Sequence, residues 1–347
     1  MTSKQTIIIK DKKYDSHSNY LQLVENANGI EKDLFSFLQD WYSSSDSIDI
    51  RSSGSTARSR IIRLSKKAMV SSAEATCQFF GIGSNEVLHL CVPVQYIAGK
   101  MMLVRALVSG ASLIFEEPSA APLLEYRKQI SFSAMTPMQV TGVLNNHPER
   151  FQNLAQLIIG GAPVLQALKV RLQLINTSCY ATFGMTETAT HVALNRLNGP
   201  RSSDIYEAVG DVSFNADDRG CLIIESKNGE INNLFTNDIV DLKDRSSFRW
   251  LGRADYVINT GGLKVYPEVI EEKLSREISG NYFIASLPDN KLGEKVILLV
   301  EGEKRDICFD CLDKYEQPKQ VYFIKKFVYT ASGKIQRLKT LNELIDA

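Results

Sequence analysis

The sequence predicts an α/β protein with a large layered α/β N-terminal domain, which includes a small β-rich subdomain, and a small α+β C-terminal domain. First, 347 residues exceed the usual size of one hydrophobic core. Second, apolar runs alternate with stretches of helical period between residues 48 and 195. Third, short strands and polar turns follow Pro200. We predict domains at 1–254 and 255–347, with the β-rich subdomain at about 200–254.

The N-terminal domain opens with alternating predicted strands and helices. A helix is predicted from SKKAMVSSAEATCQFF, because four residues share one face at spacings of three and four and would cover a sheet. These residues are Met69, Ala73, Thr76 and Phe80. The segments that follow are LHLCVPV, KMMLVRALVSG, ASLIFEE, ISFSAM, MQVTGVLNN, LAQLIIGG, VLQALKVRLQLI and SCYATFG.

The β-rich subdomain is predicted from the short segments VGDVSF, GCLIIES, GEINNLFT and DIVDL, with hairpin turns at NADDRG and SKNG. The C-terminal domain begins with strand, tight turn, strand and helix in VIN, TGG and KVYPEVIEEKLSREI. Pro267 suits a first helical turn. Acidic side chains are favourable near that end of a helix. Those present are Glu268, Glu271 and Glu272.

The composition favours a small-molecule partner. Lys+Arg and Asp+Glu both total 40, so no excess charge points to nucleic acid or to an anionic membrane. The short N-terminal apolar run is broken by Lys10, Asp11 and Lys12, and no segment approaches the roughly 20 apolar residues that cross a bilayer. We therefore expect a cytoplasmic protein without membrane insertion.

Cysteine and histidine spacing does not indicate a protein-bound transition metal. The C-x-x-C pair, Cys308 and Cys311, lacks the second ligand pair of a zinc site, and buried thiols are expected instead. The four histidines are scattered, and each is expected to be a packing or surface residue. They are His17, His89, His147 and His191.

The loop SSGSTARSR, residues 52–60, combines hydroxyl side chains, a glycine and two arginines behind the strand-like SIDIR. Such a loop is either a solvated turn or an anion cradle, in which backbone N–H groups and hydroxyls face phosphates. A Walker A sequence is absent. Taken alone, the loop reads as a polar turn.

Four further motifs follow in order: FGMTET (183–188), FTND (235–238), WLGRADYVINTGG (250–262) and SGK (332–334). With the loop at 52–60 they resemble the adenylate-forming acyl-CoA synthetase superfamily, over roughly residues 48–340. The resemblance implies the fold of these enzymes, shortened at the N-terminus, with a mobile C-terminal domain. It also implies that ATP and CoA are reactants and that Mg²⁺ is a cofactor. A carboxylic acid would be joined first to AMP and then to a thiol.

The resemblance assigns roles to individual residues, starting with phosphate contacts. Thr186 would contact the α phosphate, Glu187 would help hold Mg²⁺, and Lys334 would stabilise charge as pyrophosphate leaves. Donors to the β and γ phosphates, and their neighbours in the loop, would be Ser52, Ser53, Gly54, Ser55, Thr56, Arg58 and Arg60. A surface lysine after glycine is otherwise unremarkable.

The remaining nucleotide and thiol contacts follow the same motifs. Phe183 with Gly184 would meet adenine against Gly160, Gly161 and Ala162. Asp238 would accept hydrogen bonds from the ribose beside Arg253, Asp255 would be the hinge, and Gly261 and Gly262 would line the pantetheine channel. Core packing is the alternative for Phe183, and an ordinary turn residue is the alternative for Asp238.

Two departures from the family pattern affect these expectations. Ala57 stands where the family has glycine, Ser59 where it has proline, and Arg60 where it has lysine, so the loop is expected to be stiffer and to grip phosphate less well. Roughly 150 residues that precede this loop in the family are also missing. A nucleotide-binding homologue without turnover is therefore the alternative to an active enzyme.

The acid is suggested by CVPVQYIAGKMMLVRAL, which resembles the segment that lines the family's acyl pocket, with Tyr96 and Gly99 in it. Arg105 lies in an otherwise apolar helix, where a charge is costly unless an anion meets it. A salt bridge to an internal carboxylate, or exposure, is the alternative. This placement and the short chain resemble o-succinylbenzoate:CoA ligases of menaquinone biosynthesis. Another aromatic or aliphatic acid remains open.

Overall fold

The computed structural model describes residues 6–51, 61–123, 129–226, 231–329 and 335–345. Their helices are α1 Tyr20–Asn26, α2 Gly29–Tyr42, α3 Lys66–Phe80, α4 Ile97–Ser109, α5 Pro137–Asn146, α6 Gln166–Leu172, α7 Pro267–Leu274 and α8 Arg337–Ile345. Short 3-10 turns span Pro148–Asn153, Thr186–Thr188 and Ala254–Tyr256.

The strands are β1 Ile7–Ile9, β2 Lys12–Tyr14, β3 Ser47–Arg51, β4 Ile61–Ser65, β5 Val87–Leu90, β6 Ser112–Phe115, β7 Ile130–Met135, β8 Leu154–Ile159, β9 Ser178–Gly184, β10 His191–Arg196, β11 Ile205–Ala208, β12 Val212–Ala216, β13 Cys221–Ser226, β14 Leu234–Asp244, β15 Ser247–Arg253, β16 Ile258–Thr260, β17 Leu263–Val265, β18 Tyr282–Asp289, β19 Gly293–Glu301 and β20 Gln320–Ile324.

One large mixed sheet dominates the described part of the chain, in the order β12-β13-β14-β15-β11-β10-β9-β8-β7-β5-β6-β1-β2. Pairing is parallel from β9 through β8, β7, β5 and β6 to β1, and antiparallel from β9 to β12. The parallel half is built from near-continuous apolar strands, which is typical of strands buried on both faces. The predicted α/β class is confirmed.

Helices α2, α3 and α4 pack on the parallel half and share one hydrophobic core with it. Helix α3 begins because the Ser65 hydroxyl accepts a hydrogen bond from the Ala68 N–H at 3.0 Å, and it ends at Gly81, whose φ of 65° suits glycine. The predicted face is buried, and its four residues are Met69, Ala73, Thr76 and Phe80. The amphipathic helix predicted from the sequence is confirmed.

The β-rich segment extends the large sheet, since β11 pairs with β10. The hairpin predicted at NADDRG joins β12 to β13, whereas SKNG runs into residues outside the described ranges. The sequence predicted two strands in GEINNLFT and DIVDL, but β14 runs through both. A register shift in its pairing with β13, between Phe235 and Ile239, shows that an irregular strand carries the polar FTND segment without ending.

A second sheet is formed by β16 to β20, in the order β17-β16-β19-β18 with β20 beside β19. Helix α7 starts at Pro267, as predicted, and packs on β18 with Ile270 and Leu274 buried. The separate core of this sheet is compatible with a small C-terminal unit. The boundary at residues 254 and 255 stays a prediction.

The prediction of buried thiols is wrong for two of the six cysteines. Cys77, Cys91, Cys179 and Cys221 are buried, but Cys308 and Cys311 are exposed. They follow the end of β19 in a connection to β20 that lies at the surface, where loops normally run. Among the described residues, no group of three or more His, Cys, Asp or Glu side chains is placed to hold a metal ion by itself. Within the same ranges, no helix has the length and apolarity needed to cross a bilayer.

Candidate active site

The carboxyl ends of β7, β8 and β9 lie side by side, because these strands are parallel neighbours. They are followed by Thr136, by Gly160 to Ala162, and by Met185 to Glu187. Ligands of open α/β sheets bind in a crevice outside the carboxyl ends of the strands. Two of the predicted motifs therefore meet at the edge of the sheet where a ligand is expected.

Gly160 lies where no side chain would fit. A Cβ at this position would lie 2.3 Å from Oγ1 of Thr182 on β9, so glycine lets β8 and β9 pack closely. Gly161 has a φ of 85°, and both Gly161 and Ala162 are exposed. The structure thus explains the small residue at 160 by protein packing and leaves 161 and 162 accessible to a ligand.

Thr186 and Glu187 lie in the 3-10 turn that follows β9. The turn is closed by the Met185 N–H, which donates to the Thr188 hydroxyl at 3.0 Å, and by the Ala189 N–H, which donates to the Thr186 carbonyl at 3.0 Å. Gly184 is needed beside it, since a Cβ there would lie 2.3 Å from the carbonyl oxygen of Thr190. Both predicted residues are consequently held on a short, well-bonded turn.

A cavity of about 270 Å³ adjoins this turn. Glu187 lines it together with Ser72 of α3 and Asp211. Arg63 of β4, which follows the phosphate-binding loop predicted at 52–60, also lines it. The cavity therefore contains a carboxylate on the TET turn and a cation next to the predicted loop.

Phe183 packs against protein side chains. Its ring meets Phe248 edge-on at a centroid distance of 5.1 Å and Tyr206 at 5.9 Å. These contacts join Phe183 to the core under the antiparallel half of the sheet. They support the packing role that the sequence left as an alternative, and stacking on adenine stays a prediction.

Asp238 and Arg253 are brought together as predicted from their motifs. They are cross-strand partners on β14 and β15, and Nη1 of Arg253 lies 3.4 Å from Oδ2 of Asp238. The indole N–H of Trp250 donates to Oδ1 at 3.0 Å. Asp238 is buried while Arg253 is only half-buried, so a buried carboxylate is paired with a partly exposed cation. Trp250 and Arg253 use two of the lone-pair positions of the Asp238 carboxylate, which leaves acceptor capacity for hydroxyl groups.

Asp255 lies directly behind this pair. Its Oδ1 accepts from the Asn237 side chain at 2.8 Å, and its Oδ2 lies 3.8 Å from Nη2 of Arg253. The residue belongs to the 3-10 turn Ala254–Tyr256, which connects the large sheet to the second one. Its role as a hinge stays a prediction.

The predicted acyl-pocket residues do not form one cluster. Tyr96 caps the start of α4 and is 45% exposed, whereas Arg105 lies nine residues later, roughly 13 Å along the helix axis. Gly99 is required by packing, because a Cβ there would lie 2.4 Å from the carbonyl oxygen of Pro93. Tyr96 and Arg105 therefore cannot hold the same end of a small acid.

Arg105 is 1% exposed. Its Nη2 donates to the Thr190 hydroxyl at 3.1 Å, and its Nη1 lies 3.5 Å from the Met102 sulfur. The Nε atom is buried without a hydrogen-bond partner. No carboxylate among the described residues lies within 4.0 Å of the guanidinium. Burial lowers the pKa of Arg105 to about 10, so the side chain is still protonated at neutral pH. Exposure, one of the two alternatives left open by the sequence, is wrong, and no internal salt bridge to Arg105 is found among the described residues.

Gly261 and Gly262 form the turn between β16 and β17, with φ values of 56° and 82°. Glycine adopts such conformations without strain, and Gly-Gly is one of the preferred pairs for a two-residue hairpin turn. The phosphate-loop residues Ser52, Ser53, Gly54, Ser55, Thr56, Arg58 and Arg60, and the catalytic candidate Lys334, lie outside the described residues. Their roles stay predictions.

Sequence reasoning missed the residues that support these side chains. Trp250 begins the motif WLGRADYVINTGG, which predicts no role for it, although its indole N–H donates a hydrogen bond to Asp238. Thr190 and His191 were not connected with Arg105, because 85 positions separate Thr190 from it in the chain. The signal that could have found them is their position in the sequence, because only Ala189 separates Thr190 and His191 from the FGMTET motif.

A model of the AMP-binding enzyme family matches residues 50–230, which is more than half of the chain. The chain belongs to the AMP-binding enzyme family. The matched region includes the carboxyl edge of β7 to β9, the TET turn and Arg105. The protein is thus an adenylate-forming acyl-CoA ligase, a class that binds ATP, and the superfamily predicted from the five motifs is confirmed.

Individual relatives agree with this membership. The 2-succinylbenzoate–CoA ligase of Listeria monocytogenes serotype 4b (strain F2365) is 27% identical over 338 residues, covering 87% of this chain and 71% of the relative. The solved structure of an AMP-forming acyl-CoA synthetase/AMP-acid ligase II-like protein from Dyadobacter fermentans is 32% identical, with a TM-score of 0.64 and coverage of 93% and 98%.

A third similarity concerns the fold alone. The o-succinylbenzoate CoA synthetase from Bacillus subtilis, solved with its acyl-adenylate intermediate, has a TM-score of 0.71 at 19% identity. The alignment covers 86% of this chain and 69% of the other. The predicted adenylate-forming fold is confirmed.

Proposed function

We propose that this AMP-binding enzyme joins an aryl dicarboxylic acid, o-succinylbenzoate, to CoA through an acyl-AMP intermediate, as a step of menaquinone biosynthesis. The observation that supports this substrate is Arg105, a buried guanidinium without a carboxylate partner among the described residues. The name of the Listeria relative, a 2-succinylbenzoate–CoA ligase, agrees with it.

A charge buried in this way is costly unless an anion compensates it. Arg105 donates one hydrogen bond to a neutral hydroxyl and lies near a thioether and the Phe132 ring, at 5.8 Å from its centroid. A guanidinium has five N–H donors in a planar fork, which matches a carboxylate. A monocarboxylic acid is consumed at its only carboxylate, so the anion that meets Arg105 must be a second one.

The reaction has two steps. In the first, a carboxylate oxygen of the acid attacks the α phosphorus of ATP. The bond from the α phosphorus to the oxygen shared with the β phosphorus breaks, and pyrophosphate leaves with that oxygen. In the second, the CoA sulfur attacks the acyl carbon, AMP leaves with the oxygen that joined it to the acyl group, and the thiol proton is released. Thr186 on its short turn, the hydroxyls of residues 52–56 and Lys334 would bind the phosphates, whose negative charge dominates both steps.

The residues at the turn fit a bound Mg²⁺. The ion is usually held by one or two carboxylates together with substrate phosphates, and Glu187 provides one carboxylate in the cavity. When bound, Mg²⁺ would neutralise part of the phosphate charge. Asp238 would accept from the ribose hydroxyls, since Trp250 and Arg253 hold it in place.

The two steps need different groups at one place, so the unit formed by residues 255–347 would turn about Asp255 between them. In one pose Lys334 would face the nucleotide. In the other the turn at Gly261 and Gly262 would admit the pantetheine arm of CoA, where glycines permit a close approach of the backbone.

The test is pyrophosphate release with ATP, Mg²⁺, CoA and a panel of acids. We expect release with o-succinylbenzoate at a kcat/KM at least about tenfold above that for its two monocarboxylic analogues, each of which lacks one carboxylate. Release only with fatty acids or simple aryl acids would refute this substrate. Nucleotide binding without release for any acid would instead support the homologue without turnover.

Arg105→Met is expected to raise the KM for o-succinylbenzoate by about 30-fold and to leave the KM for ATP unchanged, because a buried charged hydrogen bond contributes about 2 kcal/mol. Arg105→Lys keeps the charge but loses the fork, and an intermediate KM is expected. The melting temperature of Arg105→Met should not fall, since no internal carboxylate is left unpaired. A parallel rise in both KM values would remove Arg105 from the acyl site.

A further inference from the structure

A chain of four side chains, three of them buried and the fourth, Thr190, half-buried, starts at Arg105 and ends on α3. Nη2 of Arg105 lies 3.1 Å from Oγ1 of Thr190, and that hydroxyl lies 3.3 Å from Nδ1 of His191. Nε2 of His191 lies 3.2 Å from Oγ1 of Thr76, which in turn donates to the Ser72 carbonyl at 3.0 Å. His191 and Thr76 are buried, as is Arg105, in an otherwise apolar core.

Only one arrangement of hydrogen atoms satisfies this chain. A guanidinium only donates, so the Thr190 oxygen accepts from Arg105 and its own hydrogen points at Nδ1 of His191. The Thr76 hydrogen is used on the Ser72 carbonyl, so Thr76 must accept from Nε2–H of His191. His191 is therefore the neutral Nε2–H tautomer. Burial, and then the charge of Arg105, lower the pKa of His191 well below its usual value, in agreement with this assignment.

The chain is tied to the TET turn. The carbonyl of Thr190 accepts a hydrogen bond from the Thr188 hydroxyl, and Thr188 also bonds the Met185 backbone. The position of Thr190 is consequently set by the same turn that carries Thr186 and Glu187. Because Thr190 holds one end of the Arg105 guanidinium, the distance from that guanidinium to the turn is set as well.

The unpartnered atom of the guanidinium is Nε, which is buried. Nε–H and one hydrogen of Nη2 point the same way and form an edge that suits a carboxylate. Thr190 accepts a hydrogen bond from Nη2 of that edge. The protein thus holds the guanidinium through Nη2 and leaves the Nε donor without a hydrogen-bond partner.

We propose that Thr190, supported by His191 and Thr76, is a positioning residue that sets the preference of this enzyme for a dicarboxylic acid, by holding Arg105 at a set distance from the adenylation turn with its unpartnered Nε donor available to the second carboxylate. This inference rests on the proposed function. It adds to that function the residues that make the acid-binding arginine selective.

The experiment compares kcat/KM for o-succinylbenzoate with kcat/KM for its monocarboxylic analogues in wild type and variants. Thr190→Val removes the hydroxyl at nearly constant volume. We expect it to raise the KM for the dicarboxylic acid about tenfold, with kcat and the KM for ATP unchanged and the monocarboxylic analogues unaffected. Thr190→Ser restores the hydroxyl and should restore the preference.

Thr177→Val is the matched control. Thr177 is also buried, and its hydroxyl hydrogen-bonds the Phe151 and Leu154 carbonyls at 2.9 and 2.8 Å, away from Arg105. We expect it to lower stability without changing the preference. An unchanged preference in Thr190→Val, or an equal change in Thr177→Val, would overturn this inference alone. A wild-type enzyme without any preference for the dicarboxylic acid would overturn the proposed substrate as well.

Discussion

Lys334→Ala lowers the rate of acyl-adenylate formation by about 100- to 1000-fold and leaves thioester formation from a supplied acyl-adenylate within about twofold of wild type. The expected size is that of removing one preorganised group that stabilises charge in a transition state. The two half-reactions separate because the small domain would present Lys334 only in the first pose. Pyrophosphate release and CoA consumption, each measured in a single turnover, report the two steps.

Lys325→Ala provides the control for this result. Lys325 is an exposed lysine that follows β20 on the same small unit. We expect both half-reactions to keep wild-type rates in this variant. Equal loss of both steps in Lys334→Ala would contradict domain alternation, and full activity in both would remove Lys334 from the catalytic group.

The alternation of apolar strands and amphipathic helices made much of the fold predictable from sequence. Helix α3 is an example, since the spacing of Met69, Ala73 and Thr76 shows its buried face directly. Strand β14 was harder, because polar residues in FTND look like a turn. A register shift against β13 allows this polar stretch to stay within a strand, and local sequence does not report it.

The candidate site was predictable where it depends on motifs and not where it depends on distant contacts. Asp238 and Arg253 were paired correctly because each belongs to a motif. The partner of Arg105 was not predictable, since Thr190 reaches it only through the packing of α4 on the large sheet. Tyr96 and Arg105 belong to the one segment that resembles the acyl-pocket lining, but the rise of a helix separates them.

A buried ion pair fixes the helix that follows Lys334. Nη1 and Nη2 of Arg337, the first residue of α8, donate to the two oxygens of Glu271 on α7 at 2.8 and 2.6 Å. The Ile284 N–H donates to the same carboxylate at 2.8 Å. The guanidinium also lies over the ring of Tyr256, 4.8 Å from its centroid, next to the predicted hinge. The start of α8, three residues after Lys334 in the sequence, is therefore held next to the predicted hinge segment.

Arg337→Met is expected to lower the free energy of unfolding by about 3 kcal/mol at pH 8, because it leaves Glu271 buried without its counter-charge. Burial raises the pKa of Glu271 to about 7, and Arg337 opposes that shift, so the pKa in the variant should be higher still. A carboxyl with a raised pKa in the folded state gives its full stability below its unfolded pKa and loses it as pH rises through the folded value. The loss in the variant should therefore be clearly smaller at pH 6 than at pH 8, as measured by urea unfolding.

Two further variants separate charge from packing. Arg337→Met combined with Glu271→Gln has no carboxyl to titrate, so the extra pH dependence should disappear while the loss of contact with Tyr256 remains. Arg249→Met removes a pair whose side chains are 44% and 58% exposed, and we expect almost no change in unfolding because solvent screens such pairs. An Arg337→Met loss that is equal at pH 6 and pH 8 would show that the guanidinium stabilises α8 by packing alone. The ion pair would then have no part in holding α8 next to the predicted hinge.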